Sequence, residues 1–169
     1  ARAAETAAAD AERDPLTGLS NRRPLGPRFT ELAREAATGE EPLQLVMIDV
    51  DRFKSINDTY GHDGGDRVLK RFAKALQRSC RKEDLVARIG GEEFVVLAPH
   101  TSPENAICLA ERLRKNVQAP VHEGADRVIT ASFGVTGFRQ DDDEDSFLKR
   151  ADEALYEAKE GGRNQVRLR

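Results

Sequence analysis

Residues 88–94, which read RIGGEEF, constrain the fold more than any other part of the chain. Apolar segments, residues 85–87 and 95–97, lie on either side of them. The simplest structure for this pattern is two strands that fold back on each other through a tight turn at Gly90-Gly91. Such a turn accepts positive φ values and leaves no Cβ to obstruct a ligand above the backbone. The segment therefore predicts an antiparallel β-hairpin, and the acids after the turn are either ordinary solvated charges or part of a site.

The composition predicts one globular domain. A chain of 169 residues can bury a core but is too short for two comfortable domains. With 38% hydrophobic and 34% charged residues, and no apolar run as long as a membrane helix or signal peptide, we expect a cytoplasmic domain with no membrane segment within this chain. The formal charge of −3 disfavours nucleic acid as a partner, whereas a local basic cluster would suffice for a small phosphorylated ligand. Two distant cysteines and three scattered histidines predict reduced thiols and no zinc site.

Hydrophobic periodicity predicts alternating helices and strands. Residues 1–13 are rich in Ala and predict a helical stalk, which we expect to continue from a removed upstream signalling region. The apolar run at 43–50 predicts a strand that is buried on both faces. Further helices are predicted at 22–37, 53–59 and 66–80, another begins at 103, and the last one ends at 160. A loop is predicted at 60–65, and strands are predicted at 128–138 and 165–168. Because the hairpin introduces antiparallel pairing, we predict an α+β fold whose mixed, mainly antiparallel central sheet is flanked by helices.

The buried strand ends in acidic residues. Asp49 and Asp51 flank Val50, and at strand periodicity both carboxylates point to the same side of the sheet. Carboxylates at the carboxyl end of a buried strand favour a metal site. The alternative is that an Asp caps the following helix.

Five sequence blocks together resemble the GGDEF-domain diguanylate cyclases, in that family's order and spacing. The blocks are residues 14–23 (DPLTGLSNRR), 49–58 (DVDRFKSIND), 61–66 (GHDGGD), 88–94 (RIGGEEF) and 159–164 (KEGGRN). The resemblance covers residues 14–169 and implies a catalytic domain that joins two GTP molecules into cyclic di-GMP, with loss of two pyrophosphates. It also implies a fold like the palm of nucleotidyl cyclases and polymerases. Glu92 replaces the Asp of the family's name, which is a common active form of the motif.

The resemblance implies a magnesium site, in which manganese can substitute. Asp49, Glu92 and the carbonyl of Val50 match the metal ligands, and Glu93 lies close to the same catalytic site. Hard oxygen ligands from one or two carboxylates, together with substrate phosphates, suit magnesium. Such ions would polarise the α-phosphate and neutralise the departing pyrophosphate.

The resemblance also implies a GTP site. Asn57 and Asp66 match the residues that bind guanine, since an amide and a carboxylate satisfy its polar edge. As an alternative or in addition, Asp66 caps its helix. Lys159 and Arg163 match basic phosphate contacts. The remaining substrate-binding positions implied are Phe53, Lys54, His62, Gly90 and Gly91.

Arg81 and Asp84 stand at the position of the family's inhibitory RxxD motif. Taken alone, an Arg and an Asp three residues apart are usually a surface salt bridge. Their position implies that cyclic di-GMP binds there as a feedback inhibitor, with Arg112 or Arg114 as a second contact.

The resemblance implies an enzyme that works as a homodimer, since each domain holds one GTP. An upstream sensory domain, missing from this chain, would control the pairing, and a longer protein could be tethered to a membrane. Two rival hypotheses remain at this point. A binding module of the same fold would only sense GTP or cyclic di-GMP, and a related cyclase would use ATP or mixed nucleotides.

Overall fold

The computed structural model describes residues 2–39 and 41–169, and Ala1 of the predicted stalk lies outside them. The helices are α1 (Arg2–Ala11), α2 (Leu25–Thr38), α3 (Phe53–Ser79), α4 (Pro103–Val117) and α5 (Glu144–Glu160). The strands are β1 (Leu43–Val50), β2 (Leu85–Arg88), β3 (Glu93–Pro99), β4 (Ala119–Pro120), β5 (Val128–Ile129), β6 (Ala131–Gly137) and β7 (Val166–Leu168). The elements confirm the predicted α+β class.

The central strand is β1, and all eight of its residues are buried, as its apolar sequence predicts. Within the described residues, the main sheet has five strands in the order β2-β3-β1-β6-β7. The pairs β2–β3, β3–β1 and β1–β6 are antiparallel, whereas β6–β7 is parallel. The sheet is therefore mixed and mainly antiparallel, as expected from the hairpin.

Helices cover both faces of the sheet, because alternate residues of β1 point to opposite sides. Val46, Ile48 and Val50 share a core cluster with residues of α3 and α4. Leu45 and Met47 belong to a second cluster with residues of α2 and α5. Asp49 follows the second pattern, so its side chain lies on the face covered by α5.

The hairpin is confirmed, but its turn differs from the prediction. Arg88 pairs with Phe94, so the connection between the strands is longer than the two glycines. In the described chain, the glycines with positive φ are Gly18, Gly61, Gly124 and Gly162, so the predicted positive φ at Gly90-Gly91 is wrong. A Cβ built at Gly91 would meet nothing within 4 Å, which agrees with the expected open backbone.

The predicted loop at residues 60–65 is mostly helical. α3 runs continuously from Phe53 to Ser79 except at Gly61, where φ 75° and ψ 170° produce a kink. Asp66 consequently lies inside α3, and the prediction that it caps a helix is wrong. The glycine-rich sequence suggested a loop because Gly is unfavourable inside helices.

Two smaller differences concern the bounds of elements. α2 begins three residues later than predicted, with Pro24 as its N-cap. The predicted strand 128–138 is interrupted at Thr130, and its first part pairs with β4 in a separate ribbon that the sequence did not predict.

α1 buries none of its residues, and the domain boundary near residue 14 stays a prediction. None of the described helices is long and apolar enough to cross a membrane.

Candidate active site

Asp49, near the end of β1, is buried on the face covered by α5. Lys159 of α5 donates a hydrogen bond to it, with Nζ 2.7 Å from Asp49 Oδ2. Burial raises the pKa of the Asp49 carboxyl to about 6, against the lowering effect of Lys159. The nearby negative charges of Glu92 and Glu93 also act to raise this pKa. Asp49 therefore has one ammonium partner and two further carboxylates close enough to act on it, and this excess of negative charge suits a cation.

The hairpin tip places Glu92 beside Asp49. The backbone amide of Val50 donates to the carbonyl of Glu92 at 3.2 Å, which joins the tip to the end of β1. The amide of Ile89 donates to the carbonyl of Glu93 at 2.9 Å and closes the tip. Glu92 is half-buried and Glu93 is exposed. The structure thus brings together the sequence-predicted residues Asp49, Val50, Glu92 and Glu93.

Arg88 holds the hairpin tip in place. Its guanidinium donates to the carbonyl oxygens of Gly90 and Gly91 at 3.1 and 2.8 Å. It also pairs with Asp14 at 3.2 Å, and both side chains are largely shielded from solvent. Burial acts to raise the pKa of Asp14, but hydrogen bonds from Thr17 and Arg88 outweigh it and lower the pKa below its usual value. This pair connects residues 74 positions apart.

Asp51 has a structural role that differs from the expectation for it. It follows the last residue of β1, and its carboxylate accepts hydrogen bonds from Thr130 Oγ1 at 2.7 Å and Ser132 Oγ at 2.6 Å. It also accepts one from the backbone amide of Asn164 at 3.0 Å. These donors give Asp51 a structural role, and a metal site at the end of β1 stays a prediction that rests on Asp49. Asp51 does not cap α3, whose N-cap is Arg52.

The predicted guanine-binding residues lie on opposite sides of the kink in α3. Asn57 precedes Gly61 and Asp66 follows it. A Cβ at Gly65 would collide with Oδ1 of Asn57 and would lie 3.0 Å from its Cγ, so the amide of Asn57 lies directly against Gly65. Asp66 is the next residue and is exposed. The Asn57 amide therefore packs against the residue that immediately precedes Asp66.

The predicted phosphate contacts surround the start of α3 and the end of α5. Phe53 and Lys54 are the first residues of α3, where helix amide groups favour an anion. Arg163 is half-buried just beyond α5 and has a left-handed φ of 63°. The ammonium group of Lys159, a predicted phosphate contact, donates a hydrogen bond to the carboxylate of Asp49. His62 is exposed, immediately after the kink.

The predicted inhibitory residues line a separate groove of about 230 Å³. Arg81 donates to Asp84 Oδ1 at 3.2 Å and to the carbonyl of Pro99 at 2.7 Å. Arg112 lines the same groove. Arg114 instead bonds to Glu111 and Asn164, so of the two alternatives only Arg112 lies at this groove.

A model of the family described as "Diguanylate cyclase, GGDEF domain" matches residues 11–165. The chain belongs to this family. It is 44% identical over 158 residues to response regulator PleD of Caulobacter vibrioides, covering 90% of this chain and 35% of PleD. It is 46% identical over 158 residues to diguanylate cyclase DgcP of Pseudomonas aeruginosa, covering 92% of this chain and 23% of DgcP. This GGDEF domain thus spans about a third or less of these relatives' lengths.

Solved structures of other GGDEF domains share the fold. The coiled coil and GGDEF domain of DgcB from Caulobacter crescentus, solved in complex with c-di-GMP, superposes with a TM-score of 0.92 at 31% identity, covering 99% of this chain and 91% of that one. An active GGEEF domain of a diguanylate cyclase from Vibrio cholerae gives a TM-score of 0.83 at 38% identity, covering 89% and 97%. These matches confirm the predicted fold.

The GGDEF domain carries a donor set that fits a magnesium ion. Across residues 2–39 and 41–169, no three His, Cys, Asp or Glu side chains form a metal-binding group of their own. Asp49 and Glu92 supply two carboxylates, and magnesium is usually held by one or two carboxylates together with substrate phosphates. The excess negative charge around Asp49 fits such an ion.

Sequence reasoning did not assign roles to Asp14, Arg88 or Gly65. All three belong to the sequence blocks that identify the GGDEF family, and this membership was the available signal. The contacts between Asp14 and Arg88, and between Gly65 and Asn57, become visible only in three dimensions.

Proposed function

We propose that this GGDEF domain condenses two GTP molecules into cyclic di-GMP with release of two pyrophosphates. The observation that carries the proposal is the position of the hairpin tip, where Glu92 lies beside the buried Asp49. Family membership supports the same activity. A domain that only senses nucleotides could lose its catalytic groups freely, whereas this chain has all four of Asp49, Glu92, Lys159 and Arg163.

Asp49, Glu92 and the carbonyl of Val50 would hold magnesium, or manganese in its place, which when bound polarises the phosphates and neutralises the departing pyrophosphate. Lys159 keeps Asp49 oriented through its hydrogen bond. The first amides of α3, at Phe53 and Lys54, point toward the region where phosphates would bind, as at other helix N-termini. Arg163, the second basic residue predicted to contact phosphate besides Lys159, would bind a phosphate group directly.

Asn57 and Asp66 would select guanine. The Asp66 carboxylate accepts hydrogen bonds from the N1 and N2 donors, and the Asn57 amide donates to O6. Adenine presents a donor where guanine has O6, so it would leave these groups unpaired. A site that hydrogen-bonds a substrate discriminates strongly against an analogue that leaves its polar groups unpaired.

Catalysis requires two domains that face each other, each with one GTP. The 3′-oxygen of each GTP bonds to the α-phosphorus of the other, and the bond from that phosphorus to the β-phosphate bridging oxygen breaks. Pyrophosphate leaves, and we assign Glu93, exposed beside Glu92, to accept the proton of the attacking hydroxyl. Homodimer formation is therefore part of the proposal.

The activity is tested by incubating the domain with GTP and magnesium and measuring cyclic di-GMP and pyrophosphate by chromatography, with ATP as the control nucleotide. Dimerisation is enforced by fusing a parallel coiled coil ahead of α1. Asp49→Asn and Glu92→Gln should abolish product, whereas Glu104→Gln, an exposed change on α4, should have no effect. Nucleotide binding without product in the enforced dimer would contradict the enzyme proposal and favour a binding module.

We also propose that cyclic di-GMP inhibits the enzyme from the groove at Arg81, Asp84 and Arg112. The Asp84 side chain is only 1% exposed and the Arg81 side chain is 45% exposed, so the carboxylate anchors a guanidinium that remains accessible. Guanidinium groups suit both phosphate and the acceptor edge of guanine. Arg81→Ala should preserve synthesis and relieve product inhibition, and an unchanged inhibition curve would contradict the assignment.

A further inference from the structure

The ribbon formed by β4 and β5, residues 119–129, is anchored on the part of α3 that follows the kink. Val121 and Ile129 are buried in the core cluster that contains this part of α3. Arg71 of α3 donates to the carbonyl of Pro120 at 2.5 Å and thereby grips the first strand of the ribbon. The base of the ribbon is thus fixed by apolar packing and by a charged hydrogen bond.

The tip of the ribbon reaches the part of α3 that precedes the kink. Arg127 Nη1 donates to Ser55 Oγ at 3.0 Å. The ring of His122 meets the ring of Tyr60 edge-on, with centroids 5.7 Å apart. Tyr60 immediately precedes Gly61, so the ribbon contacts α3 before and beside the kink as well as after it.

The kink matters because it determines how Asn57 and Asp66 lie relative to each other. Gly61 has φ 75° and ψ 170°, so the regular helix is interrupted between the two residues. Glycine has wide conformational freedom and does not fix the angle between the helix segments by itself. Ser55 is only two positions from Asn57, so a contact that holds Ser55 also restrains Asn57.

We propose that the β4–β5 ribbon fixes the angle of the α3 kink and thereby tunes the domain's selectivity for guanine, with Arg127 and Ser55 as positioning residues. The inference rests on the proposed function, in which Asn57 and Asp66 bind the base. Arg127 is not among the residues assigned to the base or the phosphates, and in this proposal it acts through Ser55. Its substitution should therefore weaken base recognition while the core anchor of the ribbon stays intact.

The experiment measures binding of 3′-deoxyGTP and 3′-deoxyATP with magnesium, because both lack the attacking hydroxyl and do not react. Arg127→Met should weaken 3′-deoxyGTP binding about threefold to tenfold, the range expected for one lost hydrogen bond, and leave 3′-deoxyATP binding unchanged. Ser55→Ala should reproduce this loss, and the double variant should lose no more than either single variant. Arg78→Met, an exposed change near the far end of α3, is the matched control.

Two results would overturn the proposal directly. Unchanged binding in both Arg127→Met and Ser55→Ala would show that the contact restrains nothing, and equal weakening for both nucleotides would show that Arg127 acts on phosphates instead. Asn57→Ala distinguishes a failure of the ribbon's proposed role from a failure of the proposed base site. If it lowers guanine selectivity and Arg127→Met does not, only the role of the ribbon fails. If Asn57→Ala leaves selectivity unchanged, the proposed base site fails as well.

Discussion

Gly65→Ala is expected to test whether the packing of Asn57 against α3 serves nucleotide binding. In an ordinary helix this change stabilises the fold by about 1 kcal/mol, because Ala has the higher helix propensity. Here the new Cβ would collide with Oδ1 of Asn57 and would lie 3.1 Å from Cζ of Phe53. Overpacking of this kind costs about 1–3 kcal/mol. The free energy of unfolding should therefore stay level or fall by up to about 2 kcal/mol.

The displaced Asn57 amide should also lose its hydrogen bonds to guanine. We expect the affinity for 3′-deoxyGTP to fall about tenfold or more, the equivalent of 1.4 kcal/mol or above. Isothermal titration measures the affinity, and urea denaturation measures the stability. Both measurements can be made on the same preparations of each variant.

The decisive comparison is made in an Asn57→Ala background. With the amide gone, most of the collision disappears, so Gly65→Ala should now raise the free energy of unfolding by up to about 1 kcal/mol. It should also cause no further loss of nucleotide affinity. The same destabilisation in both backgrounds would refute the reasoning, because the clash would then involve something other than Asn57.

Two further predictions concern ion pairs, one away from the nucleotide site and one that supports the hairpin tip. Burial acts to raise the pKa of Asp142, but hydrogen bonds, above all from Arg150, outweigh it and lower the pKa below its unfolded-state value of 3.8. The ionised carboxylate therefore stabilises the fold fully above pH 3.8. This stabilisation is lost as the pH falls through the lower folded-state pKa. Asp142→Asn should cost about 1–3 kcal/mol of unfolding free energy at pH 7 and less near pH 3, and equal losses in urea denaturation at both pH values would contradict this. Asp14→Asn removes the carboxylate partner of Arg88, so amide hydrogen exchange at residues 89–92 should accelerate about tenfold, and unchanged exchange would show that the pair does not hold the tip.

The sequence predicted those elements whose local pattern is sufficient to determine them. β1 is a continuous apolar run, and its predicted bounds match the structure. α4 begins as predicted, because Ser102 accepts a hydrogen bond from the Asn105 amide and Pro103 occupies the first turn. The hairpin follows from two apolar segments around a glycine pair. In each case the signal lies within about ten consecutive residues.

The kink in α3 could not be predicted from local pattern, because the three glycines of α3 have different structural roles. Only Gly61 has positive φ and breaks the helix. Gly64 and Gly65 remain helical, and a Cβ at either position would collide with Tyr60 or Asn57. Their unfavourable helix propensity is offset by this close approach of the first segment. A propensity argument assigns all three glycines to a loop, because it considers no neighbour across the kink.

The two acids at the end of β1 show how much of a site depends on partners distant in sequence. Asp51 has three hydrogen-bond donors, from Thr130, Ser132 and the Asn164 amide, and these contacts join β1 to β6 and to the end of α5. Asp49 has one ammonium partner and two nearby carboxylates, so the three carboxylates together keep an excess of negative charge. Strand periodicity treats the two residues as equivalent, and only the donors supplied from more than 70 residues away distinguish them. A carboxylate with satisfied hydrogen bonds stabilises the fold, whereas one with unbalanced negative neighbours is suited to bind a cation, and this difference supports Asp49 as the metal ligand.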